Sequence, residues 1–186
     1  MVNTHAAFLI AIIAGAFSLL GLVISKEQKV SEFRQAWIDA LRNDVAEMIA
    51  QANLIHSELL KLSEEVPRNP RTFLDRTRQN YIDANRAITR IKLRLNKTEG
   101  ESAKLLSAID SLESLLGKSP SDSIDTEAEM YPINQEVETN CAIVLKNEWK
   151  RVKGGELPYR IAGFLAVIVL ATAVILSCIA FLSGRG

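Results

Sequence analysis

Two cysteines and two histidines are the side chains of this sequence best suited to nucleophilic or metal chemistry, and their spacing decides what they could do. Cys141 falls in a charged, helix-patterned region and Cys178 in a charge-free run, so no disulfide is expected between them. Unpaired thiols suit a reducing compartment. Cys141 also sits on the apolar side of its helical pattern, the setting of an inert core thiol. His56 stands beside an apolar seam with no Cys or His at ligand spacing, and His5 is isolated near the N-terminus. The spacing of small helical ribonucleases, Arg and His separated by four to six residues, fails because Ile49, Ala50 and Gln51 hold the Arg positions before His56. Phosphate-cradling glycine loops, H-E-x-x-H and G-x-S-x-G do not occur. The sequence reads as a non-enzyme, with no cofactor, no metal site and no small-molecule substrate.

Charge supplies the next candidate. The chain has 22 Lys+Arg and 22 Asp+Glu, but they are segregated. Residues 68–97 are strongly basic and residues 99–138 strongly acidic. Arg86, Arg90, Arg94 and Lys97 recur at helical spacing and form a candidate partner-binding stripe for nucleic acid or anionic lipid. Adjacent blocks of opposite sign are also what neighbouring helices need to pair with each other. No aromatics interleave with the basic residues as a single-strand platform requires.

The elements that must position these groups begin with two charge-free runs, Ala6–Ile24 and Ile161–Leu182. At a helical rise of about 1.5 Å per residue they reach roughly 28 and 33 Å, the thickness of a bilayer's hydrocarbon core. Residues 1–25 are read as a short external tail and first span, 26–153 as a cytoplasmic region, 154–160 as a hinge, and 161–186 as a second span and tail. Lys26, Lys29, Arg34, Arg42, Lys146, Lys150, Arg151, Lys153 and Arg160 flank the runs on the inner side, against Arg185 outside. This asymmetry puts the middle region in the cytoplasm and both termini in the periplasm of a bacterial inner membrane. Small residues line the spans: Ala7, Ala11 and Gly15 in the first, and Ala173, Ser177 and Ala180 in the second. Such stripes let helices approach closely, within one chain or in a homo-oligomer. Gly154, Gly155 and Pro158 make the second junction a hinge. The first has no Gly or Pro from Leu22 to Val66, so a continuous helix competes there with a capping box at Ser25 and Gln28.

Between the runs the pattern is helical. Leu41, Val45, Met48, Ala52, Ile55, Leu59, Leu62 and Val66 step by four and three, a heptad seam extended upstream by Trp37, Phe33 and Val30. Asn69-Pro70 starts a second helix, with a seam of Leu74, Thr77, Tyr81, Ala84, Ile88, Ile91, Leu95 and Thr98, broken at Gly100. A third carries Leu105, Ile109, Leu112 and Leu116, capped by Gly117. A fourth, between Thr126 and Lys153, buries Met130, Ile133, Val137, Cys141, Val144, Trp149 and Val152, with Pro132 as a kink or its start. The expected fold is an all-α membrane protein: two transmembrane helices flanking an antiparallel, coiled-coil-like cytoplasmic bundle.

The segment Lys26–Asp44, KEQKVSEFRQAWIDALRND, follows the first run directly. It resembles the corresponding stretch of small bacterial two-span membrane proteins, and the layout is similar to the transmembrane effector of retron anti-phage defence systems. The resemblance implies a toxin-like effector of abortive infection. A cytoplasmic reverse-transcriptase ribonucleoprotein would hold it in check, and once released it would perturb the inner membrane. Glu32–Ile38, EFRQAWI, is no catalytic motif and transfers no site. The alternative is a non-toxic membrane anchor or scaffold that recruits a cytoplasmic partner through the bundle.

Overall fold

The computed structural model describes residues 2–64, 69–118, 126–154 and 157–183. They form five helices: α1 (Val2–Glu64), α2 (Pro70–Arg94), α3 (Gly100–Leu116), α4 (Thr126–Gly154) and α5 (Leu157–Ser183). No strand occurs among the described residues. The chain divides into two units. Residues 36–149 form one; residues 1–35 and 150–186 form the other. The bundle boundary thus falls some ten residues inside the start read from the sequence, and four inside its end.

The larger unit is a four-helix bundle. Leu41, Val45, Met48 and Ala52 of α1 meet Ala87, Ile88 and Ile91 of α2, Leu105, Ile109 and Leu112 of α3, and Met130, Val137, Cys141 and Val144 of α4 in one core. Burying each Leu or Ile contributes about 1.5–3 kcal/mol, and these side chains at three- and four-residue steps are what convert helical propensity into a fold. A smaller cluster of Ile55, Leu62 and Phe73, with Leu59, Tyr81 and Leu116 against it, closes the end where α1 gives way to α2. Polar pairs order the ring. Gln51 of α1 accepts from Asn80 of α2 at 2.7 Å, Lys92 of α2 meets Glu113 of α3 at 2.6 Å, Lys118 after α3 meets Glu129 of α4, and Asn134 of α4 donates to Asn53 of α1 at 2.9 Å. Each helix therefore lies beside its sequence neighbour, α4 returns to α1, and α2 and α4 stand on opposite sides of the core.

Local signals explain the element ends. The Asn69 side chain accepts from the backbone N–H groups of Arg71 and Thr72 at 3.1 and 3.3 Å, and Pro70 takes the first helical position. α2 stops at Leu95, before Gly100, because Asn96 turns the chain by accepting from both the N–H and the hydroxyl of Thr98. Gly100 instead opens α3. α1 passes Ser25 and Gln28 without interruption, so the capping-box alternative is not used. Pro132 lies inside α4 and is not its start.

Four seam positions read from the sequence point outward. Phe33 is 76% exposed and Leu74 52%, while Phe73 beside it is 1% exposed. Thr98 follows the end of α2 and is exposed, and Trp149 is 43% exposed. Val66 lies outside the described residues.

In the smaller unit, the described apolar residues of α1 and α5 are mostly exposed, with two regular exceptions. On α5, Ala166 and Ala173 are each 5% exposed, with Leu170 half-buried between them and Gly163 half-buried one turn before. On α1, Ile13, Ala16, Leu20 and Val23 are half-buried at the same three-four rhythm. These stripes mark the faces turned inward. Among the described residues, α1 is the one helix long and apolar enough to cross a membrane; the apolar stretch described in α5, Gly163–Leu176, is shorter.

Candidate functional site

The polar seam between α1 and α2 is where the basic stripe meets the rest of the bundle. Asp44, Gln51 and Glu58 sit seven residues apart on α1, each flanking the apolar seam. Arg90 donates to Asp44 at 2.7 Å, and Arg94 pairs with the other carboxylate oxygen. Asn80 takes Gln51 one level on, and Arg76 reaches Glu58 at 2.9 Å. Polar residues at one heptad edge pin the register of two helices, because a slip by one turn leaves buried charge without its partner.

This arrangement distributes the predicted stripe unevenly. Arg90 and Arg94 are committed to Asp44, whose side chain is only 10% exposed. Arg86 pairs within its own helix with Asp83 at 3.2 Å and stays 65% exposed. Lys97 lies beyond the end of α2, exposed, on the rim of a 280 Å³ groove shared with Lys92, Ser107 and Asp110. Pairing within the chain is thus present, but the partner of the two central arginines is α1. Lys92 reaches the acidic block, bridging Asp110 at 2.7 Å and Glu113 at 2.6 Å. The heptad spacing of Asp44, Gln51 and Glu58 was the available signal for the α1 partner.

The titrating groups follow this wiring. The Lys61 hydrogen bond chiefly holds the Glu58 carboxyl below its ordinary range, with Arg76 assisting and desolvation opposing. A carboxyl lowered on folding stabilises above its unfolded pKa, and that contribution is lost as pH falls through the folded one. Lys92 is raised by its hydrogen bonds to Asp110 and Glu113. Its contribution is complete below the ordinary lysine value and is lost as pH rises through the raised one. Burial raises the Tyr81 hydroxyl, which donates to the Leu116 carbonyl at 3.2 Å.

The thiols separate cleanly. Cys141 is buried in the bundle core, and desolvation lifts it to about 11, against a small opposing pull from Arg42. Cys178 is exposed on α5. Because the thiolate is the nucleophile, Cys141 is expected to resist maleimide at neutral pH until the bundle unfolds. Mass spectrometry of the Cys178→Ser chain with and without denaturant checks this; rapid labelling of the native chain would contradict it. His56 is half-buried, and neither ring nitrogen has a hydrogen-bond partner among the described residues. No group of three or more His, Cys, Asp or Glu among the described residues could hold a metal ion.

The small-residue positions fall on two different faces. Ala173 is in the covered stripe of α5. Ala7, Ala11 and Gly15 are exposed, and a Cβ added at Gly15 meets nothing within 4 Å. The side chains of Ser177 and Ala180 lie outside those described. Of the hinge residues, Gly154 is the last residue of α4, Pro158 is the second of α5, and Gly155 lies outside the described residues.

Fold and faces together define a class: an all-helical chain pairing an antiparallel four-helix bundle with a two-helix apolar unit. Comparison with protein families, curated proteins and solved structures finds no match to this chain.

Proposed function

We propose that this chain is a two-span inner-membrane effector whose cytoplasmic bundle is restrained by a cytoplasmic partner, protein or ribonucleoprotein, and which perturbs the bilayer when released. In this reading the charge-free parts of α1 and α5 are the spans, the bundle faces the cytoplasm and both termini face the periplasm. The anti-phage role rests on the resemblance over Lys26–Asp44; the fold supports the coupling it requires. The observation that carries it is the continuity of α1, one helix from Val2 to Glu64. That helix bears both the apolar run and the Asp44–Gln51–Glu58 edge of the bundle seam. A partner that rearranges the seam acts on the same helix that enters the membrane, which is the two-state element such control needs. No Asp, Glu, Lys, Arg or His lies in either run, so the proposed action is lipid perturbation or helix association, with no carrier relay.

The test is induction of the gene alone and with its genomic neighbours, reading growth and membrane potential. Wild type should arrest growth and depolarise the membrane, and a restraining neighbour should reverse both. Ala173→Leu, which overfills a covered position, should weaken the arrest at equal membrane level. Gly15→Leu, which faces open space, should leave the pairing of α1 with α5 intact. Normal growth and potential on induction, with the protein confirmed in the membrane, would favour the anchor or scaffold reading. Topology is tested separately by single cysteines at the exposed positions Lys104 and Glu138, which should react with impermeant reagents only after the cells are opened.

A further inference from the structure

The outer faces of α2 and α4 complement each other although they never meet within one chain. On α2, Arg78, Ile82, Arg86, Thr89 and Leu93 follow one another at four- and three-residue steps and all are exposed, Leu93 to 82%. On α4, Tyr131, Gln135, Glu138 and Ala142 do the same, with Tyr131 72% exposed. Each face carries large apolar surface that its own bundle leaves uncovered, and the charges are opposite. Arg78 and Glu138 have no ion-pair partner among the described residues, and Arg86 holds only the half-buried Asp83 of its own helix.

The levels match as well. Asn80 is bonded to Gln51 and Asn134 to Asn53, two residues along α1. Arg90 is bonded to Asp44, and Arg42 lies close enough to Cys141 to influence its thiol. α2 and α4 therefore run in the same direction, and these ties bring Arg78 to within about a helical turn of the level of Tyr131, and Arg86 to within about a turn of that of Glu138. Copies related by rotation about an axis parallel to the bundle keep these levels in common. The α2 face of one copy then meets the α4 face of the next, with Arg86 opposite Glu138 and Arg78 over the Tyr131 ring.

We propose that the chain associates head to tail through these faces, α2 of one copy against α4 of a second. Such a contact is heterologous and continues to further copies until a ring closes. It rests on the proposed membrane setting only for the shared level of the copies. It also gives that reading its missing part, since two spans of one chain are too few to enclose a pore.

The test uses the full chain in detergent micelles and in nanodiscs, read by amine-free crosslinking and mass measurement. Wild type should give a ladder of dimers and larger species. Arg78→Glu with Arg86→Glu should lose the ladder, and so should Tyr131→Arg with Glu138→Arg. Mixing these two variants should restore it, as should a chain carrying all four substitutions. A second measurement changes no charge: in Cys178→Ser chains, Ile82→Cys and Gln135→Cys should form no disulfide dimer separately and should form one when mixed. Ladders from either charge variant alone, a mixture that stays monomeric, or no mixed disulfide would overturn the head-to-tail contact. Association is read directly in these experiments, so its failure is distinct from failure of the growth and membrane-potential test.

Discussion

Truncation of Phe73 to alanine is expected to cost about 3–5 kcal/mol of bundle stability, whereas the same truncation of Leu74 stays within about 0.5 kcal/mol. The two residues are adjacent and comparably apolar, and only burial separates them. Phe73 is 1% exposed and packs with Ile55 and Leu62 where α1 and α2 diverge; Leu74 is 52% exposed. Deleting the ring removes apolar contact and leaves a cavity between two helix ends joined by a short connection, where little else can collapse inward. Thermal unfolding of the full chain in detergent, followed by circular dichroism, reads both variants against wild type. Equal losses at the two positions would mean that the seam runs through Leu74 and that the described register of α2 is wrong by one residue.

That one-residue difference shows how far the sequence carried. The α1 seam from Leu41 to Leu62 was legible because seven apolar residues keep strict three-four steps. At the start of α2 the same rule accepted Leu74, since Leu74 and Thr77 are three apart; Phe73 and Thr77, four apart, satisfy it equally. The choice is made by geometry that local spacing does not hold: Asn69 and Pro70 set where the first turn begins, and the Thr77 hydroxyl donates to the Phe73 carbonyl at 2.8 Å, on the buried side. Phe33 and Trp149 keep the helical spacing of the seams, yet both lie near the ends of the bundle unit, where its core no longer covers them. The charge blocks were legible as blocks, but proximity along the chain suggested only one of the two neighbours. A four-helix ring gives α2 two neighbours, and its basic residues divide between them: Lys92 turns to α3, and Arg76, Arg90 and Arg94 turn to α1.

Asp44 is expected to be the most consequential charged residue of the bundle. Asp44→Ala leaves the Arg90 and Arg94 guanidinium groups facing a seam that holds no other anion for them among the described residues. Breaking a fully buried ion pair on one side costs about 3–5 kcal/mol. Here Arg90 and Arg94 keep 46% and 29% exposure and recover some solvation, so about 2–3 kcal/mol is expected. Glu58→Ala should cost under about 1 kcal/mol, because Lys61 and Arg76 both reach water. Salt separates the two cases further: 1 M salt, with a Debye length of about 3 Å, should erase most of the Glu58 effect and little of the Asp44 effect. The decisive comparison removes all three charges. Asp44→Leu with Arg90→Leu and Arg94→Leu should return to within about 1 kcal/mol of wild type, since no buried charge is then left alone. Such a chain would be stable yet would have lost the polar mark that fixes the α1–α2 register at the level where α1 enters the bundle. If release from a partner works by shifting that seam, the triple variant should keep its melting temperature and lose its restraint, arresting growth even with the genomic neighbours present. Retained restraint in a stable triple variant would remove the Asp44 cluster from the control of α1 and leave it a purely structural clamp.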